Sequence, residues 1–279
     1  MWVGQQLADG LDFWGFLGSL ILGGIILGIY TGLLGYVGAK TGLSLDLLSQ
    51  RAFGEKGSYL PSAMTSFTQI GWFGVGSFVS GGTATPNFAR FAKNGKSGAI
   101  TTVVAFFIGN SLMFFFGAVS SIFVGGNDIF EVMVRLNLFY LAVLVLGLNI
   151  WTTNDNALYT AGLGLANIFH QKKKPMVLLS GIIGTVASVW LYYNFCGWLN
   201  ILNCTLPPVG MILVLAYFMN KEDFETDQPK LKTIDWFAVA GVILGAIVAN
   251  LLHWGIASIN GMVVAAVCYC VGLDVNKRK

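Results

Sequence analysis

The chain has 279 residues, of which only 10% are charged and 55% are hydrophobic, and its mean hydropathy is +0.71. A soluble domain carries roughly 25% charged residues, so disorder and a soluble enzyme with a solvated surface are both excluded. The net charge of +3 is too small to build the basic face of a nucleic-acid binder, which leaves a helical protein that crosses a membrane several times.

A spanning helix needs about 20 mostly apolar residues. In chain order the sequence predicts eight such segments: 11–40, 61 to about 85, 99–124, 136–169, 175–195, 198–219, 234–252 and 256–273. Met1 is followed by an uncharged stretch, so no secretory signal is expected. The first segment is long enough to tilt. The fourth carries one polar interruption, and the sixth holds Pro207 and Pro208, which are expected to bend it. The runs leave no room for a separate soluble domain. They are continuous, as over 13–29, whereas strands of a membrane barrel alternate apolar and polar residues over about 10 positions. The fold class is therefore all-α and integral to the membrane.

Basic residues gather on cytoplasmic flanks. By that rule Lys277, Arg278 and Lys279 place the C-terminus inside. Counting back, Lys221, Lys230 and Lys232, the run His170 to Lys174, and Arg90, Lys93 and Lys96 fall on the same side. The turns holding Asp128, Glu131 and Arg135, and His253, fall on the other. The second segment breaks the pattern. Lys40, Arg51 and Lys56 precede it, Arg90, Lys93 and Lys96 follow it, and both flanks ask for the same side. Either one flank is forced across, or 61–85 enters and returns. Gly71, Gly74, Gly76, Gly81 and Gly82 ease a break at depth, which is tolerated where protein or water covers it.

Two clusters carry candidate chemistry. Asn149 to Asn156 holds three asparagines, two threonines and Asp155 within an apolar run. Desolvating such groups is costly without partners, and ionisable residues at that depth usually serve a cavity or ion path. The stretch is either a site for a hard cation or polar small molecule, or a loop between two short helices. The second cluster runs from Thr68 to Phe78. Gln69 and Trp72 are three apart and share a helical face, an amide beside an indole that suits a flat heteroaromatic ring. Packing through small residues fits equally well. Cys196, Cys204, Cys268 and Cys270 lack metal-site spacing and suit apolar packing. His170 and His253 have no partner pattern. No phosphate-binding loop, metal-hydrolase motif or nucleophile elbow occurs, so neither an enzyme nor a cofactor is indicated.

The stretch LGLNIWTTNDNALY (146–159) resembles the eighth helix of the bacterial cytosine permeases of the nucleobase–cation symporter family. TQIGWFGVG (68–76) is similar to their third helix, and LGIYTGLLGYVGAKTGL (27–43) to the second helix and its following loop. SFVSGGTATPNFARFAKNGK (77–96) resembles the second half of the sixth. NGKSGAITTVVAFFIGNSLMFFFGA and GWLNILNCTLPPVG are similar to later helices. The resemblance implies a LeuT-type fold of two inverted five-helix repeats with two accessory helices. In this chain that divides as 1–87, a remnant of the first repeat joined to half of the sixth helix, 88–219, the second repeat, and 220–279, the accessory pair. It implies Na⁺-coupled uptake of cytosine across the bacterial cytoplasmic membrane. The partners are then cytosine, Na⁺ and the bilayer, with no obligate protein partner indicated. Residue by residue, Trp72 and Phe78 match the stacking aromatics. Gln69, Ser77 and Asn154 match the polar contacts to the base. Thr152, Thr153 and the backbone near Asn149 match the eighth-helix share of the cation site.

The chain departs from the family pattern in two places. It starts inside the broken first helix. Between Gly76 and Ser77 the first half of the third helix runs into the second half of the sixth, without the fourth and fifth. Six residues of continuous helix set Trp72 and Phe78 about 9 Å apart along the axis, so a ring sandwich requires a break at Gly74 to Gly76. Two alternatives stay open: an internally deleted membrane protein that does not transport, and a proton-coupled purine/pyrimidine permease that uses Asp155.

Overall fold

A computed structural model describes residues 12–75, 83–125, 129–226, 229, 231–252 and 254–277. Among them the regular structure is helical. Helix α1 runs Phe13–Thr41, about 44 Å at 1.5 Å per residue, enough to cross a ~30 Å hydrocarbon core at a tilt. The Asp12 side chain accepts from the Gly15 amide at its start. Gly42 ends it at φ 68°, a left-handed turn that favours glycine. Ser44 then caps the short α2 (Leu45–Phe53), whose first turn holds Asp46.

The remaining elements are α3 (Tyr59–Val75), the single turn α4 (Pro86–Ala89), and α5 (Gly95–Val104), which passes through a π-helical turn at Ala105–Gly109 into α6 (Asn110–Val124). They continue with α7 (Ile129–Arg135), α8 (Phe139–Phe169), α9 (Lys173–Tyr193), α10 (Phe195–Met219), α11 (Lys221–Glu225), α12 (Trp236–Leu251) and α13 (Ala257–Lys277). Among the described residues five helical stretches are long and apolar enough to cross a membrane: Phe13–Thr41, Gly95–Val124, Lys173–Leu191, Gly197–Met219 and Ala257–Val275. Trp236–Leu251 is apolar but shorter. Eight segments were expected from hydropathy.

Two local expectations resolve against the alternatives. The polar stretch 149–156 is not a loop: α8 runs unbroken for 31 residues. The Thr152 hydroxyl bonds back to the Leu148 and Asn149 carbonyls, both at 3.1 Å, and so satisfies itself within the helix. Helix α10 also continues through Pro207 and Pro208. The Pro208 ring packs against Gly245 of α12 and Gly261 of α13, where three helices meet on small residues.

Glycine sets a close helix pair. α1 and α5 run antiparallel, with Gly38 against Pro86, Gly35 against Gly98 and Thr102, Gly32 against Val103, and Gly24 against Phe107 of the π turn. The main apolar core lies where α1, α2, α10, α12 and α13 converge, on Leu34, Val37, Leu48, Phe53, Ile212, Tyr217 and Val242. A second cluster gathers Ala157, Leu191, Leu202 and Leu206 around Trp198.

The basic flanks collect at one end of the bundle. Arg51 donates to the Asp223 carbonyl at 2.7 Å, Lys40 lies 3.9 Å from Glu225, and the Glu55 amide donates to the Lys232 carbonyl at 2.8 Å. Tyr59 and His170 share a 2.6 Å hydrogen bond, and the Lys173 ammonium sits 3.7 Å over the Tyr159 ring. Both flanks of the second apolar segment belong to this end. The Leu45 amide at the start of α2 donates to Asn87 Oδ1 at 2.8 Å, and Gly95 lies against Tyr36 and Lys40. The chain leaves this end in α3 and is back at it by residue 87.

Candidate functional site

Helices α3, α4, α5 and α8 line a half-open cavity of about 650 Å³. That is within the ~300–1,000 Å³ of small-molecule sites. α3 and α8 are held antiparallel by small residues and hydroxyls. Ser66 donates to the Ala161 carbonyl at 3.1 Å, and Gly164 abuts Ser66 and Ser62. This close approach brings Gln69, itself buried, to the cavity wall beside α8. From α8 the wall takes Thr152, Thr153, Asn156, Ala157 and Thr160. Their spacing of one, three and four residues is one face of a 3.6-residue helix. The 83–92 segment adds Thr85, Phe88 and Phe91; α5 and the π turn add Ser97, Thr101, Thr102 and Phe106.

The described lining combines hydroxyls, amides and phenyl rings with small residues such as Ala84, Ala92 and Gly98, and no charged side chain is part of it. Such a wall suits a neutral polar ring: amides and hydroxyls read its edge, and aromatic faces cover its plane. The Thr160 hydroxyl is buried without a partner, in a residue 2% exposed, so a ligand or water that reaches it relieves a desolvated group.

The candidate residues distribute unevenly around this cavity. Gln69, Thr152 and Thr153 meet in it. Thr152 spends its hydroxyl proton on its own helix, which leaves the oxygen lone pairs facing the cavity as a hard donor. Asn149 is exposed and outside the lining, its carbonyl accepting from Thr152. Asn154 also lies outside the lining, because one residue beyond Thr153 the helix has turned by about 100°. Its Oδ1 is buried and has no partner. Trp72 belongs to α3, one residue after Gly71, which packs on the Trp198 ring; the Trp72 side chain, and Ser77 and Phe78 entirely, lie outside the described residues. Asp155 occupies an exposed position on α8.

Asn156 closes the polar stretch but carries no assigned role in the sequence, and Thr160 lies beyond it; both continue the Thr152 face at i+4 and i+8. Thr85, Phe88, Phe91 and Ser97 carry no sequence signal of a site and are recruited by the return of the chain.

A second polar cluster lies beside the cavity, at the basic end. Ser62 donates to Asp46 Oδ1 at 2.6 Å, and Asn167 Nδ2 donates to Ser62 at 2.9 Å and to Ser58 at 3.1 Å. Gln50 donates to Asn167 Oδ1 at 2.6 Å. Burial pushes the Asp46 carboxyl up to about 6, against the opposing pull of the Ser62 bond and of Arg90.

The family described as permeases for cytosine and purines, uracil, thiamine and allantoin matches residues 1–84 and 74–272. The chain belongs to this permease family. The cytosine permease of Escherichia coli (strain K12) is 36% identical over 372 aligned positions, covering all of this chain and 88% of the relative, and the cytosine permease of E. coli O157:H7 aligns equally well. The allantoin permease of Bacillus subtilis (strain 168) is 34% identical over 82 residues, 29% of this chain and 16% of that one. These relatives are transporters by name, not enzymes. The alignment with the E. coli permease covers 372 positions and this permease has 279 residues, so 93 positions of the relative have no counterpart here. The two family matches overlap at 74–84, across the junction where the third-helix resemblance passes into the sixth.

Proposed function

We propose that this permease binds cytosine in the cavity between α3, α4, α5 and α8 and carries it across the bacterial cytoplasmic membrane with Na⁺, with its C-terminus cytoplasmic. The observation that carries this is the convergence of Gln69, Thr152 and Thr153 on one uncharged, hydroxyl- and amide-lined cavity. Gln69 reads the edge of the base. Trp72 and Phe78 cover its faces, and Ser77 adds a polar contact. Thr152 and Thr153, with the Asn149 carbonyl, supply hard oxygens to the cation. Asn154 enters the set through its unpaired buried carbonyl, which a base N–H would satisfy after a rotation of α8 about its axis. A LeuT-type arrangement, with α12 and α13 as the accessory pair, is the architecture proposed for it.

The 93 missing positions favour a second reading, in which the site binds but the chain does not cycle between two states. Uptake of labelled cytosine by cells that express this chain, with sodium present or replaced at fixed pH, separates the readings. Sodium-dependent uptake supports symport. Uptake that follows the proton gradient alone moves the coupling to a carboxyl. Binding of cytosine to the purified protein without uptake leaves the second reading. Absence of binding, with the protein shown to be in the membrane, refutes the site.

A further inference from the structure

Arg90 follows the single turn α4, which lines the cavity, and its guanidinium donates to the Tyr159 hydroxyl on α8. This bond ties the 83–92 segment to the helix that forms the opposite wall. Two buried donors on the same side of the segment are idle: Arg90 Nε and Asn87 Nδ2 have no acceptor. Asn87 and Arg90 are three residues apart and share a face, and Asn87 Oδ1 already holds the Leu45 amide, the residue next to Asp46. Asp46 is 5% exposed, within electrostatic reach of Arg90, and among the described residues no ion pair reaches it. A half-buried cation with a buried spare donor thus stands near a buried carboxyl without a cation.

We propose that Arg90 is a two-position latch on this cavity: bonded to Tyr159 it holds the 83–92 segment against α8, and bonded to Asp46 it draws the segment toward α2 and opens the cavity between them. Tyr159 and Asp46 compete for one guanidinium, and in either position Asp46 can keep its 2.6 Å bond from Ser62. One donor shared between two acceptors suits an element that must occupy two arrangements. Arg90 acts here as a positioning residue and does not touch the ligand.

The inference deepens the reading of this cavity as the transport path. Its test needs no cytosine, so a failed latch and a failed substrate site give different results. In the full chain with Cys196, Cys204, Cys268 and Cys270 replaced by alanine, Ser97→Cys places a thiol on the cavity wall. Its alkylation rate by N-ethylmaleimide in lipid nanodiscs reports how open the cavity is. Tyr159→Phe removes the closed-state bond and is expected to raise the rate about tenfold; Asp46→Asn removes the open-state partner and is expected to lower it about as much. Opposite changes support the latch, since a general loosening of the fold moves both rates upward. Changes of the same sign, or no change in either variant, overturn it.

Discussion

Replacing Asp46 by asparagine should stabilise this permease above pH 7 and remove a pH dependence between pH 4 and 8. Asp46 is 5% exposed, and burial raises its carboxyl from 3.8 to about 6. The folded chain therefore holds a proton on Asp46 that the unfolded chain releases near pH 4. Where the folded state binds more protons, stability falls as pH rises. The contribution is complete below pH 3.8 and lost as pH passes 6. A shift of about two units at 1.36 kcal/mol each comes to roughly 3 kcal/mol at full ionisation. Asparagine keeps the shape and still accepts the 2.6 Å bond from Ser62, but carries no charge to desolvate. The assay is thermal unfolding in nanodiscs from pH 4.5 to 8. The parent melting temperature should fall by about 5 °C over that range, and the Asp46→Asn curve should stay flat and lie above it at pH 8. A variant that melts lower than the parent at pH 8, or that keeps the full slope, refutes the placement of Asp46 in a desolvated site.

The other predictions concern packing and the cavity. Gly35→Ala should destabilise by about 2 kcal/mol, because a Cβ there meets Thr102 Oγ1 at 2.5 Å and the Gly98 carbonyl at 3.1 Å. Thr102 is pinned by its own bond to Gly98, and Gly18→Ala on the same helix, with nothing within 4 Å, should leave the melting temperature unchanged. Thr160→Val removes a buried, unpartnered hydroxyl, so it should keep or raise stability while cytosine affinity by equilibrium binding drops about tenfold. Equal losses of stability and affinity would show that the hydroxyl acts in the apo fold instead.

Hydropathy located the long helices within a few residues, because a run of about 20 apolar residues has few other solutions. It gave no account of α2, α4 and α11, which are short, polar at one face and held by tertiary bonds such as Leu45 to Asn87. Charge placement was more informative than hydropathy at the second segment. Arg51 and Arg90 asked for one side, and the chain brings both to that end. Of the site, Gln69, Thr152 and Thr153 were legible because amides and hydroxyls inside an apolar run are costly and conspicuous. Phe88 and Phe91 were not, since an aromatic in a membrane segment looks the same whether it faces lipid or ligand. Asp46 escaped notice because its neighbours Ser62 and Asn167 are 16 and 121 positions away in sequence, and only folding shows that the carboxyl is desolvated.

The return of the chain to the basic end by residue 87 bears on how so large a loss is survivable. An excision that removed an odd number of crossings would turn every later helix upside down and place Lys172 to Lys174 and the C-terminal lysines on the wrong face of the bilayer. Here 93 positions of the relative have no counterpart, yet the segments before Tyr59 and after residue 86 lie at the same end of the bundle. Flanks that share an end ask the insertion machinery for an even number of crossings between them, or for none.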